Sequence, residues 1–437
     1  MPAKRRLPLA CLTLLTCAVC ARAAQETLLY RFNGASGGGI GPNGLTPDSR
    51  GDLYGTTLDG LAFELSPPQV AGAPWTETVL YRFTGGHDGG HPTSGLVFDH
   101  AGNLYGTAQV GGQYATYECF LAGCGVVFEL SPPTQQGGAW TETTLYAFLG
   151  SPDGNTPWAG PIFDQAGNLY GTTFAGGAGN SHDIGCGTAF KLAPPSTARG
   201  EWTETVLYGF TCGIDGGNPY DGLAFAPGGA GPADGLFGTL SSEGVHNGGV
   251  VYELTPPAQG NGPWIATVLH TFMAAGQNDG ANPQDAPIFD KAGNLYGTTR
   301  LGGVASAGTV FRLSPPAAPG GPWTETILYS FTGGSDGAQP YAGLLLDKRG
   351  NLFGMAYGGG GGVGGADCGT TGCGTVFELS PPGTAGGPWI ETTLHEFSGA
   401  DGAKPLSPLL LGKDGWLVGA TAGGGAFDDG TVFRIVR

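Results

Sequence analysis

An Asp-Gly-x-x-Pro motif occurs six times and is the most regular source of carboxylates in the sequence. Its acidic residues are Asp88, Asp153, Asp215, Asp279, Asp336 and Asp401. A ring of carboxylates could hold Ca²⁺ or the cationic groups of a ligand through oxygen ligands. A reaction needs distinct acid and base roles, so a six-fold feature is a poor catalytic candidate. The competing interpretation is structural, because Asp caps turns by accepting backbone N–H bonds. We favour the turn role, retain Asp153, Asp215 and Asp336 as candidate ligand-binding residues, and expect no cofactor other than Ca²⁺.

The residue after each repeated Pro differs from copy to copy, unlike the motif itself. The six residues are Thr93, Trp158, Tyr220, Gln284, Tyr341 and Leu406. Aromatic platforms beside carboxylates and amides are what sugar rings stack on and bond to. Trp158, Tyr220 and Tyr341 are therefore candidate ligand-binding residues. The alternative is that these rings pack against neighbouring parts of the fold.

Four other side chains are candidates for catalysis if the protein is an enzyme. His182 and His246 lie in loops of variable length, and Arg300 and Tyr357 directly follow apolar segments. A polysaccharide lyase or a glycosidase would need a base or a pair of carboxyl groups from such a set. The alternative interpretation, solvated polar loop residues, is open for all four.

Six cysteines remain once the three in the first 23 residues are set aside. Cys119 and Cys124 are five residues apart, as are Cys368 and Cys373. Cys186 precedes a Gly-initiated strand, and Cys212 follows the end of the next predicted strand. The start of one strand lies beside the end of the next in an antiparallel hairpin, which favours a Cys186–Cys212 disulfide. Metal binding is the weaker alternative, since no histidines stand at ligand spacing.

These residues are carried by a short segment that occurs seven times and is clearest as AGNLYGTT at 292–299. Its central leucines are Leu53, Leu104, Leu169, Leu236, Leu295, Leu352 and Leu417. The steps between them are 51, 65, 67, 59, 57 and 65 residues. Periods in this range indicate a solenoid, a propeller or an array.

One unit predicts four short strands and no helix. Residues 286–290, 295–299 and 308–313 are apolar segments separated by turns, and residues 323–331 alternate polar and apolar. Period-two alternation is typical of a half-buried strand, and four such strands make one propeller blade. The sequence contains seven third strands but only six fourth strands after them. The missing one matches residues 26–32, which precede the first unit.

The sequence therefore predicts an all-β, seven-bladed β-propeller with four antiparallel strands in each blade. Residues 26–32 would supply the outer strand of the last blade and close the ring, which removes an open sheet edge. We predict a single propeller domain over residues 24–437. Fold alone does not decide between binding and catalysis.

The combination of LYGTT, GTVFELSPP, WTETVLY and DGxxP resembles the GloVer tandem-repeat proteins, described as "choice-of-anchor" exported bacterial proteins. The resemblance covers almost all of the chain after residue 23. It implies an exported repeat protein without an assigned activity and offers no catalytic residues to carry over. Family members often end in an anchoring segment, whereas this chain ends at Arg437 inside a predicted strand, so we expect no surface anchor.

The N-terminus predicts export. Lys4, Arg5 and Arg6 precede 14 apolar residues, and a small-x-small cleavage site ends at Ala23. Cleavage removes four basic residues and no acidic ones, leaving 14 basic against 35 acidic residues and a formal net charge of −21. Such a charge excludes nucleic acid as a partner. No later segment is long and apolar enough to span a membrane. We expect a secreted or periplasmic monomer.

The leading hypothesis is an exported, non-catalytic propeller that binds a glycan or an extracellular protein on its loop-rich face. The alternative is an extracellular carbohydrate-active enzyme, a polysaccharide lyase or glycoside hydrolase, on the same scaffold. A third hypothesis is a structural protein of the cell envelope.

Overall fold

The computed structural model describes residues 24–437 with several gaps. The gaps are residues 71, 94, 114–118, 120–121, 136, 178–184, 198–199, 221, 228–230, 232, 234, 260–261, 319, 362–367, 385 and 413–414. The expected signal peptide, residues 1–23, and His182 lie outside the described residues.

The described chain forms seven four-stranded antiparallel sheets arranged as a seven-bladed β-propeller. Strand β1 (Gln25–Arg31) opens the chain, and a short 3-10 helix follows at Gly34–Ser36. The first blade, from the innermost strand outward, contains β2 (Pro42–Pro47), β3 (Leu53–Thr57), β4 (Leu61–Ser66) and β5 (Thr76–Arg82). The second contains β6 (Val97–Phe98), β7 (Leu104–Ala108), β8 (Val126–Ser131) and β9 (Thr141–Ala147). The third contains β10 (Ile162–Phe163), β11 (Leu169–Thr173), β12 (Thr188–Ala193) and β13 (Thr203–Gly209).

The remaining four blades repeat the order. The fourth contains β14 (Ala224–Phe225), β15 (Leu236–Leu240), β16 (Val250–Thr255) and β17 (Ile265–Thr271). Strands β18 (Gly280–Ala281) and β21 (Leu301–Gly302) pair with each other beside the fifth blade, whose own strands are β19 (Ile288–Phe289), β20 (Leu295–Thr299), β22 (Thr309–Ser314) and β23 (Thr324–Ser330). The sixth contains β24 (Leu345–Leu346), β25 (Leu352–Ala356), β26 (Thr375–Ser380) and β27 (Ile390–Glu396). The seventh contains β28 (Leu410–Leu411), β29 (Leu417–Thr421) and β30 (Thr431–Val436).

The N-terminal strand closes the ring as the sequence predicts. Strand β1 pairs antiparallel with β30, from Gln25 opposite Val436 to Arg31 opposite Thr431. The first residues of the described chain therefore form the outermost strand of the last blade. This pairing satisfies the backbone groups of β30, which would otherwise form a free sheet edge.

Burial in this fold is greatest on the second strand of each blade. All five residues of β20 are buried, whereas the innermost strand β19 is half-buried and β23 has exposed, half-buried and one buried position. Gly297, in the middle of β20, has no room for a side chain, because a Cβ there would lie 2.6 Å from the Phe311 ring. The pairing of β20 with β22 is regular at this glycine, and the register shifts instead between β22 and β23, at Val310 and Phe311.

Adjacent blades are joined by a repeated pair of aromatic rings. A ring on each third strand meets the Phe that follows the outermost strand of the preceding blade, with centroids 4.7–5.1 Å apart. The pairs are Phe32–Phe63, Phe83–Phe128, Phe148–Phe190, Phe210–Tyr252, Phe272–Phe311, Phe331–Phe377 and Phe397–Phe433. Each pair lies in a separate buried cluster between two blades, so the hydrophobic core is divided among seven interfaces.

Three disulfides join the cysteine pairs expected from the sequence. They are Cys119–Cys124, Cys186–Cys212 and Cys368–Cys373, with Cα atoms 4.7, 5.5 and 4.5 Å apart. Among the described residues, no helix has the length and apolar character needed to cross a bilayer.

Candidate ligand-binding site at the central channel

All seven blades line a central cavity of about 470 Å³, through their innermost strands or through the segments that lead into those strands. Its deeper wall is apolar and includes Leu45, Leu96, Ile162 and Leu410. Its mouth is formed by the segments that enter the innermost strands, where polar and aromatic side chains replace the aliphatic ones. This volume is within the range of sites that enclose a small molecule.

Seven equivalent residues, one from each blade, form a ring at the mouth, which we call the mouth ring. They are Asn43, Thr93, Trp158, Tyr220, Gln284, Tyr341 and Leu406. Each follows a buried proline, and each proline but one stands against the glycine at the start of the preceding blade's third strand. At the sixth blade, for example, a Cβ on Gly308 would lie 2.6 Å from Cδ of Pro340, and Gly308 has φ of +100°. Repeated packing thus fixes the backbone of a ring whose side chains all differ in kind except for two tyrosines.

The aromatic members of the mouth ring belong to two clusters. Trp158 and Tyr220 have centroids 5.4 Å apart, and Phe174 contacts both, at 6.3 and 4.9 Å. On another part of the mouth ring, Tyr341 stands 5.1 Å from Tyr357, and the Arg300 guanidinium lies 5.0 Å from the Tyr341 centroid. The structure therefore brings the three aromatic candidates to one cavity.

Burial keeps the Tyr341 hydroxyl protonated. Burial raises the pKa of Tyr341, and the Arg300 cation opposes that rise without cancelling it. The hydroxyl is thus neutral at physiological pH and can both donate and accept a hydrogen bond. A group that holds its proton this firmly is suited to binding rather than to proton abstraction.

Three polar atoms at the mouth are buried without a hydrogen-bond partner among the described residues. They are Trp158 Nε1, Asp285 Oδ2 and Ser407 Oγ. Asp285 is only 7% exposed, and its other oxygen, Oδ1, accepts the N–H of Ala286 at 2.8 Å. Buried polar groups are normally paired, and an unpaired one costs about 1–3 kcal/mol. A ligand that supplied one acceptor and one or more donors would satisfy these atoms.

The Asp285 carboxylate occupies space that a glycine leaves open in the next blade. A Cβ on Gly343 would lie 1.6 Å from Asp285 Oδ2, so any larger residue there would displace the carboxylate. Gly343 also lines the cavity. The two residues come from neighbouring blades and together place a charged oxygen beside the mouth ring.

The six motif aspartates lie beside the outermost strands, and none lines the cavity. The Tyr146, Tyr208 and Tyr329 hydroxyls donate to Asp153, Asp215 and Asp336 at 2.7, 3.1 and 3.0 Å. Each of these carboxylates also accepts a backbone N–H from four residues earlier. Burial raises the pKa of Asp153 despite those bonds. The contacts are those of turn caps, and a Ca²⁺ ligand role for these residues stays a prediction.

The four candidates for catalysis do not form one cluster among the described residues. Arg300 and Tyr357 meet at Tyr341, one from the fifth blade and one from the sixth. His246 is exposed in the loop between β15 and β16. His182 falls in a gap between described residues. The structure therefore brings together two of the four and shows no acid–base pair among them.

Sequence reasoning did not identify Phe174, Asp285, Gly343 or Ser407. Asp285 and Ser407 directly follow mouth-ring residues, and Phe174 corresponds in its blade to Arg300 and Tyr357. Aligning the seven units on their prolines and comparing the next two positions would have found Asp285 and Ser407. Gly343 could not be found this way, because its role depends on a side chain in another blade.

A larger cavity of about 840 Å³ lies between the first two blades, toward the opposite face. Its aromatic wall is formed by Tyr54 and Trp140, whose centroids are 6.4 Å apart. Equivalent contacts occur at other interfaces, for example Tyr105–Trp202 and Tyr296–Trp389. We attribute this cavity to the packing of adjacent blades and place the candidate site at the channel.

Comparisons with known proteins agree with this architecture. The sequence model of the Gloeobacter/Verrucomicrobia repeat matches residues 18–231, 115–365 and 229–437, which together cover nearly the whole chain. No curated protein matches the sequence. Among solved structures, the extracellular domain of a chain described as a hybrid two-component system of B. thetaiotaomicron aligns with a TM-score of 0.50 and 10% identity. The alignment covers 94% of this chain and 40% of that one, so this chain spans less than half of its length.

Two enzyme domains also align, at lower scores. A carbohydrate-active enzyme of family AA12 from Trichoderma reesei has a TM-score of 0.44 and 11% identity over 95% of this chain and 96% of that one. The PQQ domain of a pyranose dehydrogenase from Coprinopsis cinerea has a TM-score of 0.43 and 13% identity over 95% and 96%. At these identities the likeness concerns the fold alone.

Proposed function

The chain belongs to the Gloeobacter/Verrucomicrobia repeat family, and we propose that it binds a carbohydrate, without catalysis, at the mouth of its central channel. The observation that carries this proposal is the combination of clustered aromatic rings with unpartnered polar atoms in the mouth. Trp158, Tyr220 and Tyr341 supply the rings, and Asp285 Oδ2 and Trp158 Nε1 supply an acceptor and a donor.

A sugar ring matches this surface better than other small molecules do. Its C–H faces stack on aromatic rings, while its hydroxyls donate and accept hydrogen bonds at the ring's edge. Asp285 would accept from a hydroxyl, and Trp158 Nε1 would donate to one. An anionic ligand would be repelled by Asp285 and by the acidic chain, which has 35 acidic residues. The proposed ligand is therefore a neutral glycan or one carrying an amino group.

The carboxylate content of the cavity favours binding over hydrolysis. Among the described lining residues, Asp285 is the one carboxylate. Glycoside hydrolysis ordinarily requires two carboxyl groups facing the same bond. The alternative of a lyase would draw on Tyr341, Tyr357 and Arg300. The raised pKa of Tyr341 opposes its use as a base, because a general base works best with a pKa near the working pH.

We also propose that the protein works outside the cytoplasm, in the periplasm or as a secreted protein. Three disulfides support this location, since such bonds persist mainly in oxidising compartments. The N-terminal sequence pattern supports it independently.

A glycan array probed with the mature protein tests the binding proposal. We expect binding to a restricted set of glycans, which is then measured by calorimetry. Trp158→Ala should weaken binding at least about tenfold, because it removes a stacking platform and a donor. Asp285→Asn should weaken it by a similar factor, since the charged acceptor is lost. Phe427→Ala is the matched control: Phe427 is 55% exposed in the loop before β30 and does not line the cavity.

The outcomes separate the hypotheses. Binding that Trp158→Ala and Phe427→Ala leave equally unchanged would contradict a channel site. Failure of every glycan to bind would leave a protein-binding or structural role. Turnover of a bound glycan, detected as new reducing ends or unsaturated sugars and abolished by Tyr341→Phe, would replace the binding function with a catalytic one.

A further inference from the structure

The outermost strands carry a second repeated arrangement, which is independent of the channel. Seven equivalent residues on these strands face a carboxylate: Tyr30, Tyr81, Tyr146, Tyr208, His270, Tyr329 and His395. Six of these side chains lie within hydrogen-bond distance of their own carboxylate partner, at 2.7–3.2 Å. His270 is the exception, because its Nε2 lies 3.6 Å from Asp279 Oδ2.

A third group completes the arrangement around His270. Glu325, on the outermost strand of the next blade, places Oε1 3.8 Å from His270 Nε2. The three ligand atoms of His270, Asp279 and Glu325 all lie within 4.8 Å of one another. His270 Nε2 and Glu325 Oε1 are buried atoms without a hydrogen-bond partner among the described residues.

We propose that His270, Asp279 and Glu325 form a binding site for a divalent transition-metal ion of the Zn²⁺ type. Tetrahedral ligands at Zn²⁺ bond lengths are separated by about 3.3–3.5 Å, so the observed separations of 3.6 and 3.8 Å need to close by a few tenths of an ångström. They are too long for hydrogen bonds. An imidazole nitrogen with two carboxylates suits Zn²⁺ and disfavours Ca²⁺, which prefers oxygen ligands only.

The surroundings of the three side chains support a fixed geometry. The His270 ring packs edge-on against Phe272, with centroids 4.7 Å apart. Asp279 accepts the backbone N–H groups of Met273 and Gly280 at 3.0 and 2.7 Å. Hydrogen bonds that hold a ligand's orientation raise metal affinity.

Electrostatics at the cluster also favour a cation. The Asp279 and Glu325 side chains are only 17% and 18% exposed, and both lie beside His270. Two carboxylates thus share a partly desolvated space, and a bound divalent ion would neutralise both.

The other blades provide controls within the same chain. His395 already contacts Asp401 at 3.0 Å, and the Glu at the equivalent neighbouring position is Glu26. Tyr329, with Asp336 at 3.0 Å and Glu391 nearby, shows how a tyrosine fills the same place. His270→Tyr therefore introduces a residue that this position accepts in five other blades.

Calorimetric titration of the metal-free, untagged mature protein with ZnCl₂ tests the proposal. We expect one high-affinity site, a Zn²⁺-dependent rise in melting temperature, and no competition from a hundredfold excess of Ca²⁺. His270→Tyr should lower the affinity by more than about 100-fold, since even partners behind the ligands contribute 10–100-fold. Glu325→Gln should lower it as well. His395→Tyr should leave it unchanged.

Any of three results would overturn the site. The first is no high-affinity Zn²⁺ binding by the wild type. The second is equal binding by wild type and His270→Tyr, which would assign the metal to other histidines. The third is loss of binding in His395→Tyr as well as in His270→Tyr. The melting curves without metal show whether each variant is folded, so misfolding cannot be mistaken for a lost ligand.

Discussion

The interfaces between blades and the mouth of the channel are built by the same seven repeats, yet they differ in how much their residues vary. At the interfaces, a Phe from one blade meets a ring on the third strand of the next in all seven cases, and only Tyr252 departs from Phe. At the mouth ring, the side chains range from Leu406 to Trp158. The repeated ring contacts stabilise the propeller. The mouth-ring side chains take no part in those contacts, so their identities can differ to suit a ligand.

The same comparison separates two sets of carboxylates. All six motif aspartates accept bonds from their own turns, and all but Asp279 also accept one from an outermost-strand residue, as Asp336 does from Thr332 and Tyr329. An Asp stands two residues after the repeated proline in only two units, as Asp221 and Asp285, and one oxygen of Asp285 has no partner among the described residues. Most of the repeated aspartates are thus held by their own turns, whereas Asp285 keeps an oxygen that a ligand could use.

The largest effect is expected from opening the ring. Deleting residues 25–31 removes the strand paired with β30, so we expect loss of the cooperative thermal transition. A circular permutant in which this strand follows residue 437 through a short turn is the matched control. Gln25 lies opposite Val436, so the permutant should melt like the wild type. A deletion variant with an unchanged melting curve would contradict closure by this strand.

A core substitution at one interface should have the next largest effect. Phe311 is fully buried and contacts Phe272 from the preceding blade at 5.0 Å. Phe311→Ala should lower the free energy of unfolding by about 3–5 kcal/mol, because it leaves a cavity. Phe427→Ala should change it by less than about 0.5 kcal/mol. Denaturant unfolding of both variants measures the difference, and equal stabilities would refute the division of the core among interfaces.

Filling the space at Gly343 should affect binding more than stability. Gly343→Ala places a methyl group where Asp285 Oδ2 lies, and we expect at least about a tenfold loss of glycan affinity. The fold should survive with a cost of about 1–3 kcal/mol from overpacking. Gly383→Ala is the control, because nothing lies within 4 Å of a Cβ there. Unchanged affinity in Gly343→Ala would remove Asp285 from the binding site.

The smallest effect is expected at a repeated turn aspartate. Burial tends to raise the pKa of Asp290, but hydrogen bonds from Asn294, Tyr296 and Ala292 lower it overall. Its stabilising contribution is therefore present above the unfolded pKa of about 3.9 and is lost as the pH falls through the lower folded value. Asp290→Asn should cost about 1 kcal/mol at pH 7 and less at pH 3. A cost that grows on acidification would contradict this assignment.

Most of the architecture could be predicted because every blade repeats the same sequence pattern. Seven copies of a segment related to LYGTT give the blade count, and the predicted second strand at residues 295–299 agrees with β20. The innermost strand of the fifth blade is shorter than predicted. Residues 286–290 were predicted to pair, and only Ile288–Phe289 form β19. The sequence cannot show that only two residues pair, since the apolar run also serves to line the channel.

The candidate site was predictable only in part. Trp158, Tyr220 and Tyr341 could be found because they follow a repeated proline. Asp285 and Gly343 act through a contact between blades, and the His270 cluster joins two outermost strands 55 residues apart along the chain. Distances between loops and strands of different blades are set by the closed ring, so no local pattern in the sequence reports them.

A crystal structure of the mature protein with its highest-affinity array glycan tests the central claim most directly. We predict a sugar ring stacked in the mouth ring on Trp158, Tyr220 or Tyr341, with a hydroxyl bonded to Asp285 Oδ2. A glycan bound between two blades or on the outer strands, with the mouth ring empty, would contradict it.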